Sequence, residues 1–121
     1  AAPEPPAVTG WASAYAPGRF EEVITWRLAN DAWREPLAWD WYYRVRGYIA
    51  TTDCAKVGAI ATIYDLDGRA YEVLVGDCSG HVETTEWMLS NSIVAELDAN
   101  LYWRLVFIYG RPLPITLDYR D

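Results

Sequence analysis

The sequence predicts a mainly β domain in which six short strands close into a small barrel, accompanied by one or two short helices. Three observations carry this expectation. Short runs alternate apolar and polar side chains, the period-2 pattern of a half-buried strand. Asp67-Gly68 joins two such runs and is the strongest turn signal in the chain, because both residues tolerate positive φ. Six strands of this length are too few for two good sheets, whereas closing them into a barrel removes exposed edges.

Residues 1–9 hold Pro3, Pro5 and Pro6 and read as a flexible lead, so the barrel domain is expected over residues 10–121. The first strand is residues 10–16, stopped by Pro17-Gly18. In residues 19–33 the period changes. Phe20, Val23, Ile24 and Leu28 recur at helical spacing, and Glu21 and Glu22 fall where a helix dipole favours acids, which predicts a helix of two to three turns. Residues 35–46 read as an aromatic loop around Pro36. Strands follow at residues 47–52, 59–65 and 70–76, the last two flanking Asp67-Gly68. Residues 78–91 read as a loop with one helical turn at 86–89. Strand five is residues 92–97. Asp98 is a good N-cap for a helix over 99–105, with Leu101, Tyr102 and Leu105 as its apolar stripe. Strand six is residues 113–119.

Composition narrows the function classes. A chain of 121 residues, 52% of them apolar, makes one domain with a real core and is not disordered. No stretch approaches the roughly 18 apolar residues that span a bilayer. The net charge is -7, and the ten basic residues are dispersed, which argues against nucleic acid as a partner. Seven tryptophans are the outlier. A single tryptophan reads as core. The cluster Trp33, Trp39, Trp41, Tyr42 and Tyr43 lies among mixed charges and reads as a surface that stacks on sugar rings or on a neighbouring protein.

Cys54 and Cys78 are the only cysteines. An even count in a chain that looks secreted predicts a disulfide, stabilising by roughly 3 kcal/mol in the chain-entropy model; two buried free thiols are the alternative. There is one histidine and no Cys-x-x-Cys, so neither a metal site nor a redox motif is expected, and no cofactor is implied. The Pro-rich start has no charged and no apolar region, so it reads as the beginning of a chain after signal cleavage. The expected location is secreted, periplasmic or cell-surface.

The order of these pieces resembles one family. Gly10-x-Ala12-Ser13-x-Tyr15-x-Pro17-Gly18 is similar to the first strand and turn of the rare lipoprotein A-like proteins. Gly47-Tyr48-Ile49-Ala50, with Gly58 opening the next strand, resembles their second and third strands. Gly68-Arg69-x-Tyr71-x-Val73-x-Val75-x-Asp77 looks like their hairpin, and Ile93-Val94-Ala95-Glu96-Leu97-Asp98 like the segment that leads into their helix. The resemblance implies a six-stranded double-psi β-barrel, shared with barwin and the first domain of expansins, acting on or binding glycans outside the cell.

Carried over residue by residue, the resemblance places Asp77 and Glu96 as candidate catalytic acids. Two carboxyls near one groove can divide labour, one kept protonated as acid and the other ionised. Thr51 and Thr52 stand where the family has His and Arg, and Cys78-Ser79-Gly80 replaces its Arg-Gly-Pro. His81 matches no catalytic position. Asp77 and Glu96 could instead hold loops through backbone N–H groups. Three functions follow in order: binding of envelope or extracellular polysaccharide such as peptidoglycan, through Trp33, Trp39, Trp41, Tyr42, Tyr43, Thr51 and Thr52; a structural subunit that self-associates or docks a neighbour through the Trp-rich loop; and weak glycan cleavage with Glu96 as acid.

Overall fold

A computed structural model describes residues 7–37 and 40–119. Residues 1–6 of the Pro-rich lead, and Trp39, lie outside the described residues. Six strands, β1 (Val8–Ala14), β2 (Gly47–Thr51), β3 (Ile60–Tyr64), β4 (Ala70–Cys78), β5 (Ile93–Leu97) and β6 (Leu113–Tyr119), close into a barrel in the order β1-β5-β2-β4-β3-β6. β1 runs parallel to β5, and β2 parallel to β4. The other four pairings are antiparallel. The alternation in the sequence is the cause. Along β5, Ile93, Ala95 and Leu97 are buried while Val94 and Glu96 are half-buried, and a strand rolled into a barrel keeps one face dry in this way.

Helices are more numerous than the sequence suggests. Among the described residues there are four: α1 (Arg19–Asn30), α2 (Trp41–Arg44), α3 (Val82–Ser90) and α4 (Ala99–Tyr109). α3 lies where a loop with one turn is expected. It has only one buried anchor, Met88, so no apolar stripe announces it. α4 is a turn longer than expected, because Val106 and Tyr109 add partly buried contacts to the core beyond Leu105. β1 begins at Val8, inside the stretch read as a lead, since Val8 and Thr9 pair with Leu117 and Thr116.

The side chains form two apolar clusters. The first fills the barrel with Ile49, Val73, Val75, Ala95, Leu97, Leu113, Ile115 and Leu117, and α4 adds Leu101, Tyr102 and Leu105. The second lies on the outer wall of β2, β3 and β4, where Tyr48, Ile60 and Leu74 meet Ile24 of α1 and Trp41, with Trp33, Leu37 and Val45 against them. The stretch read as an aromatic loop is therefore largely a cover for the barrel wall.

Asp98 joins the two levels of structure. One carboxyl oxygen accepts from the Leu101 N–H at 3.0 Å, the helix cap that the sequence predicts. The other accepts from the Tyr48 N–H at 2.7 Å, at the start of β2. Asp98→Ala removes the cap and leaves a half-buried strand donor unpaired. The expected loss is about 2 kcal/mol in urea-induced unfolding, against a few tenths for Asn100→Ala on the exposed side of the same turn.

Candidate functional site

Strand register brings the two candidate acids together. Ala50 of β2 pairs with Glu96 on one side and with Asp77 on the other. Glu96 also pairs with Ser13 of β1. Ser13, Glu96, Ala50 and Asp77 thus form one row across four adjacent strands. Ala12, Ile49 and Leu97 beside them face the barrel core, so the row faces outward. Two irregularities set this alignment. β5 carries an extra residue, Val94, opposite the Trp11–Ala12 step, and β4 carries Gly76 opposite the Ile49–Ala50 step.

Helix α1 furnishes the partners of Asp77. Arg27 bonds its carboxylate at 3.0 Å, the Gly76 carbonyl at 2.9 Å and the Ala32 carbonyl at 2.9 Å. This pair is largely shielded from water, with three directed bonds fixing the guanidinium. The Tyr15 hydroxyl donates to the other Asp77 oxygen at 2.5 Å, linking the end of β1 to β4 across β5 and β2. Burial, and then this bond to Asp77, push the Tyr15 phenol well above its ordinary range.

Glu96 is the less satisfied acid. Burial raises its pKa above the ordinary 4.5, and the charge on Asp77 raises it further. The Ser13 hydroxyl on the neighbouring strand is buried and has no hydrogen-bond partner among the described residues.

Beside Asp77 opens a groove of about 400 Å³, lined by Arg19, Glu22, Val23, Trp26 and Arg27. Trp26 is 57% exposed, so its ring stands in solvent at the edge of the groove that Arg27 and Asp77 also line. The sequence reasoning did not single out Trp26, Arg27 or Tyr15. A signal existed: positions 19, 22, 23 and 26 are one stripe of a helix, and a tryptophan at the end of a charged stripe is not a core residue.

The other predicted residues lie elsewhere. Trp41 is 8% exposed and belongs to the outer-wall cluster, and Trp33 packs against both clusters while edging a separate open groove with Arg34 and Leu37. Tyr42 and Tyr43 are exposed, Tyr43 at 87%, with their rings edge-to-face at 5.3 Å. They sit near Arg44, which grips Glu72, and Glu72 is five residues from Asp77 on β4, about 16 Å away. Thr51 is buried, and Thr52 edges a small apolar groove with Val8, Leu89 and Tyr119. Neither threonine joins the row. Cys54 and Cys78 form a disulfide with Cα atoms 5.0 Å apart, tying the turn Cys54–Lys56 to the residue after Asp77. Among the described residues no group of three His, Cys, Asp or Glu is placed to hold a metal ion.

Compared with known proteins, the chain matches no family model, no curated protein and no solved structure.

Glu96 has a stability signature with a definite sign. Between its unfolded value near 4.5 and its higher folded value, the folded chain holds more protons than the unfolded one. Stability from this group is therefore present below 4.5 and falls as pH rises through that window. Glu96→Gln removes the fall. The Tm of the variant relative to wild type should be higher at neutral pH than well below pH 4.5, as read by thermal circular dichroism; a difference independent of pH would show Glu96 to be an ordinary exposed acid.

Proposed function

We propose that this protein is an exported double-psi barrel of the rare lipoprotein A and barwin kind. In this reading it binds a polysaccharide of the cell envelope or its surroundings on the outer wall of the barrel. The strand pairing supports the double-psi reading. Raising each strand number by three, β1 beside β5 becomes β4 beside β2, both parallel, and β1 beside β6 becomes β4 beside β3, both antiparallel. The two halves of the chain thus repeat one motif. The Cys54–Cys78 disulfide supports export, since such bonds persist in oxidising compartments.

The observation that carries the binding reading is the exposed face of Trp26 beside the Asp77–Arg27 pair. A sugar ring presents an apolar face and a rim of hydroxyls. Trp26 offers a stacking surface, and the exposed Arg19 and Glu22 offer donors and acceptors at its edge. The groove is open and holds basic and acidic groups together, which suits a neutral polyhydroxyl ligand better than a polyanion.

A second reading, weak glycan cleavage, is favoured by Glu96. Burial and the charge on Asp77 raise its pKa, the direction that suits a proton donor. The absence of a basic partner at Thr51 and Thr52 keeps this reading behind binding.

One experiment addresses both. Incubated with insoluble peptidoglycan, cellulose and chitin, the wild-type chain should sediment with at least one of them. Trp26→Ala should weaken retention about tenfold without changing the circular dichroism spectrum. A wild-type chain that remains in the supernatant with every polysaccharide sinks both readings. Soluble fragments that appear with wild type and vanish in Glu96→Gln would promote cleavage over binding alone.

A further inference from the structure

Two helices leave apolar faces uncovered, and those faces carry opposite charge. α3 is anchored by Met88 and leaves Val82, Trp87 and Leu89 exposed, Val82 at 72%. At about 3.6 residues per turn, Glu83 and Glu86 fall within the same outward arc, and both are exposed. α4 buries Leu101, Tyr102 and Leu105 and turns Trp103, Phe107 and Ile108 outward, with Phe107 92% exposed. Arg104 lies inside that arc, and Arg111, just past the helix, holds its guanidinium 4.8 Å from the centre of the Trp103 ring. A helix apolar on nearly every side is ordinarily covered, and an exposed apolar patch with a charged rim marks an interaction surface.

The charges sort cleanly between the two faces. α3 holds no basic residue, whereas residues 99–117 hold Arg104 and Arg111 and no acid, in a chain of net charge -7. Among the described residues none of Glu83, Glu86, Arg104 and Arg111 makes an ion pair. The faces also lie at opposite ends of the barrel. α3 leads into β5 and α4 leaves it, a strand of five residues or about 17 Å. Leu89 of α3 lines its groove with Thr52, just past the end of β2, and with Tyr119, at the end of β6. α4 meets the starts of the same two strands. Gly47 opens β2 so close to α4 that a Cβ there would come within 3.1 Å of the Leu101 side chain, and residues 110–112 carry the chain from α4 directly into β6.

A symmetric dimer through either face would gather like charges in one interface, guanidinium groups through α4 or carboxylates through α3. Setting α3 of one copy against α4 of another joins opposite charges and covers the apolar side chains of both. We infer that copies of this chain assemble head to tail, the acidic apolar face of α3 docking on the basic apolar face of α4 in the next copy. Because the faces stand at opposite ends, each added copy leaves a free face at either end of the stack. The contact uses neither the Trp26 groove nor the row of Glu96 and Asp77. It goes beyond the polysaccharide reading and is tested without any glycan.

The test is sedimentation velocity over a concentration series at low salt. Wild type is compared with two charge reversals, Glu83→Arg with Glu86→Arg on α3, and Arg104→Glu with Arg111→Glu on α4. All four side chains are exposed, so both variants should keep the wild-type circular dichroism spectrum. Wild-type mass should climb past the dimer with concentration, and added salt should reverse the climb. Each reversal alone should stay at the monomer mass of 13.8 kDa. Mixed in equal amounts, the two variants should assemble again, since reversed α3 then meets reversed α4. Phe107→Ala, which leaves every charge in place, should weaken assembly about tenfold. A wild-type chain that stays monomeric up to about 1 mM overturns the inference. So does assembly that the α4 reversal abolishes and the α3 reversal leaves intact, the pattern of a symmetric contact through α4. A monomer that floats with anionic phospholipid vesicles, and loses them in the α4 reversal, puts a lipid surface on α4 and overturns it as well.

Discussion

Helix α1 lies where it does because Gly76 has no side chain. A Cβ at that position would come within 2.7 Å of the Ile24 side chain and within ordinary contact of Phe20. The bare backbone lets Phe20 and Ile24 settle directly on the bulge in β4, and from that contact the rest follows. Ile24 joins the outer-wall cluster with Leu74 and Trp41. Arg27, one turn on, reaches the Gly76 carbonyl and the Asp77 carboxylate together. Trp26, its neighbour, is left pointing into solvent beside the ion pair. One missing methyl group thus positions a helix, a salt bridge and an aromatic face.

The same bulge settles which way Asp77 points. An extra residue in one strand breaks strict alternation, so Val75 faces the core while Asp77, two residues later, joins an outward row with Ala50 and Glu96. The two acids then differ by what surrounds them. Asp77 has Arg27 and Tyr15 to satisfy both oxygens. Among the described residues Glu96 has no such partner, and it bears both the cost of burial and the charge of Asp77. Of the two, Glu96 is the carboxyl whose surroundings favour the protonated form over that of an exposed glutamate.

The aromatic content divides along similar lines. Trp41 and Trp33 stabilise the cover over β2, β3 and β4, where apolar area is removed from water. Trp11 on β1, Trp26 on α1, Trp87 on α3 and Trp103 on α4 remain about half in solvent. Within the aromatic cluster that the sequence marks, Trp33 and Trp41 pack into this cover while Tyr42 and Tyr43 stay exposed.

Local physics determined much of this protein from its sequence alone. Period-2 alternation, the Asp67-Gly68 turn with Gly68 at φ 81°, the Asp98 cap and the pairing of the only two cysteines each depend on neighbours close along the chain or on simple counting, and each appears in the structure. α3 was not legible because a single buried Met88 leaves no periodic stripe. The candidate site was half legible: Asp77 and Glu96 could be marked as strand-end acids, but their companions could not. Ser13 meets Glu96 through a parallel pairing of strands more than eighty residues apart, and Arg27 reaches Asp77 across fifty. Those meetings depend on barrel closure, two bulges and the contact at Gly76. They are long-range steric outcomes that no local period encodes, so only the tertiary structure could decide them.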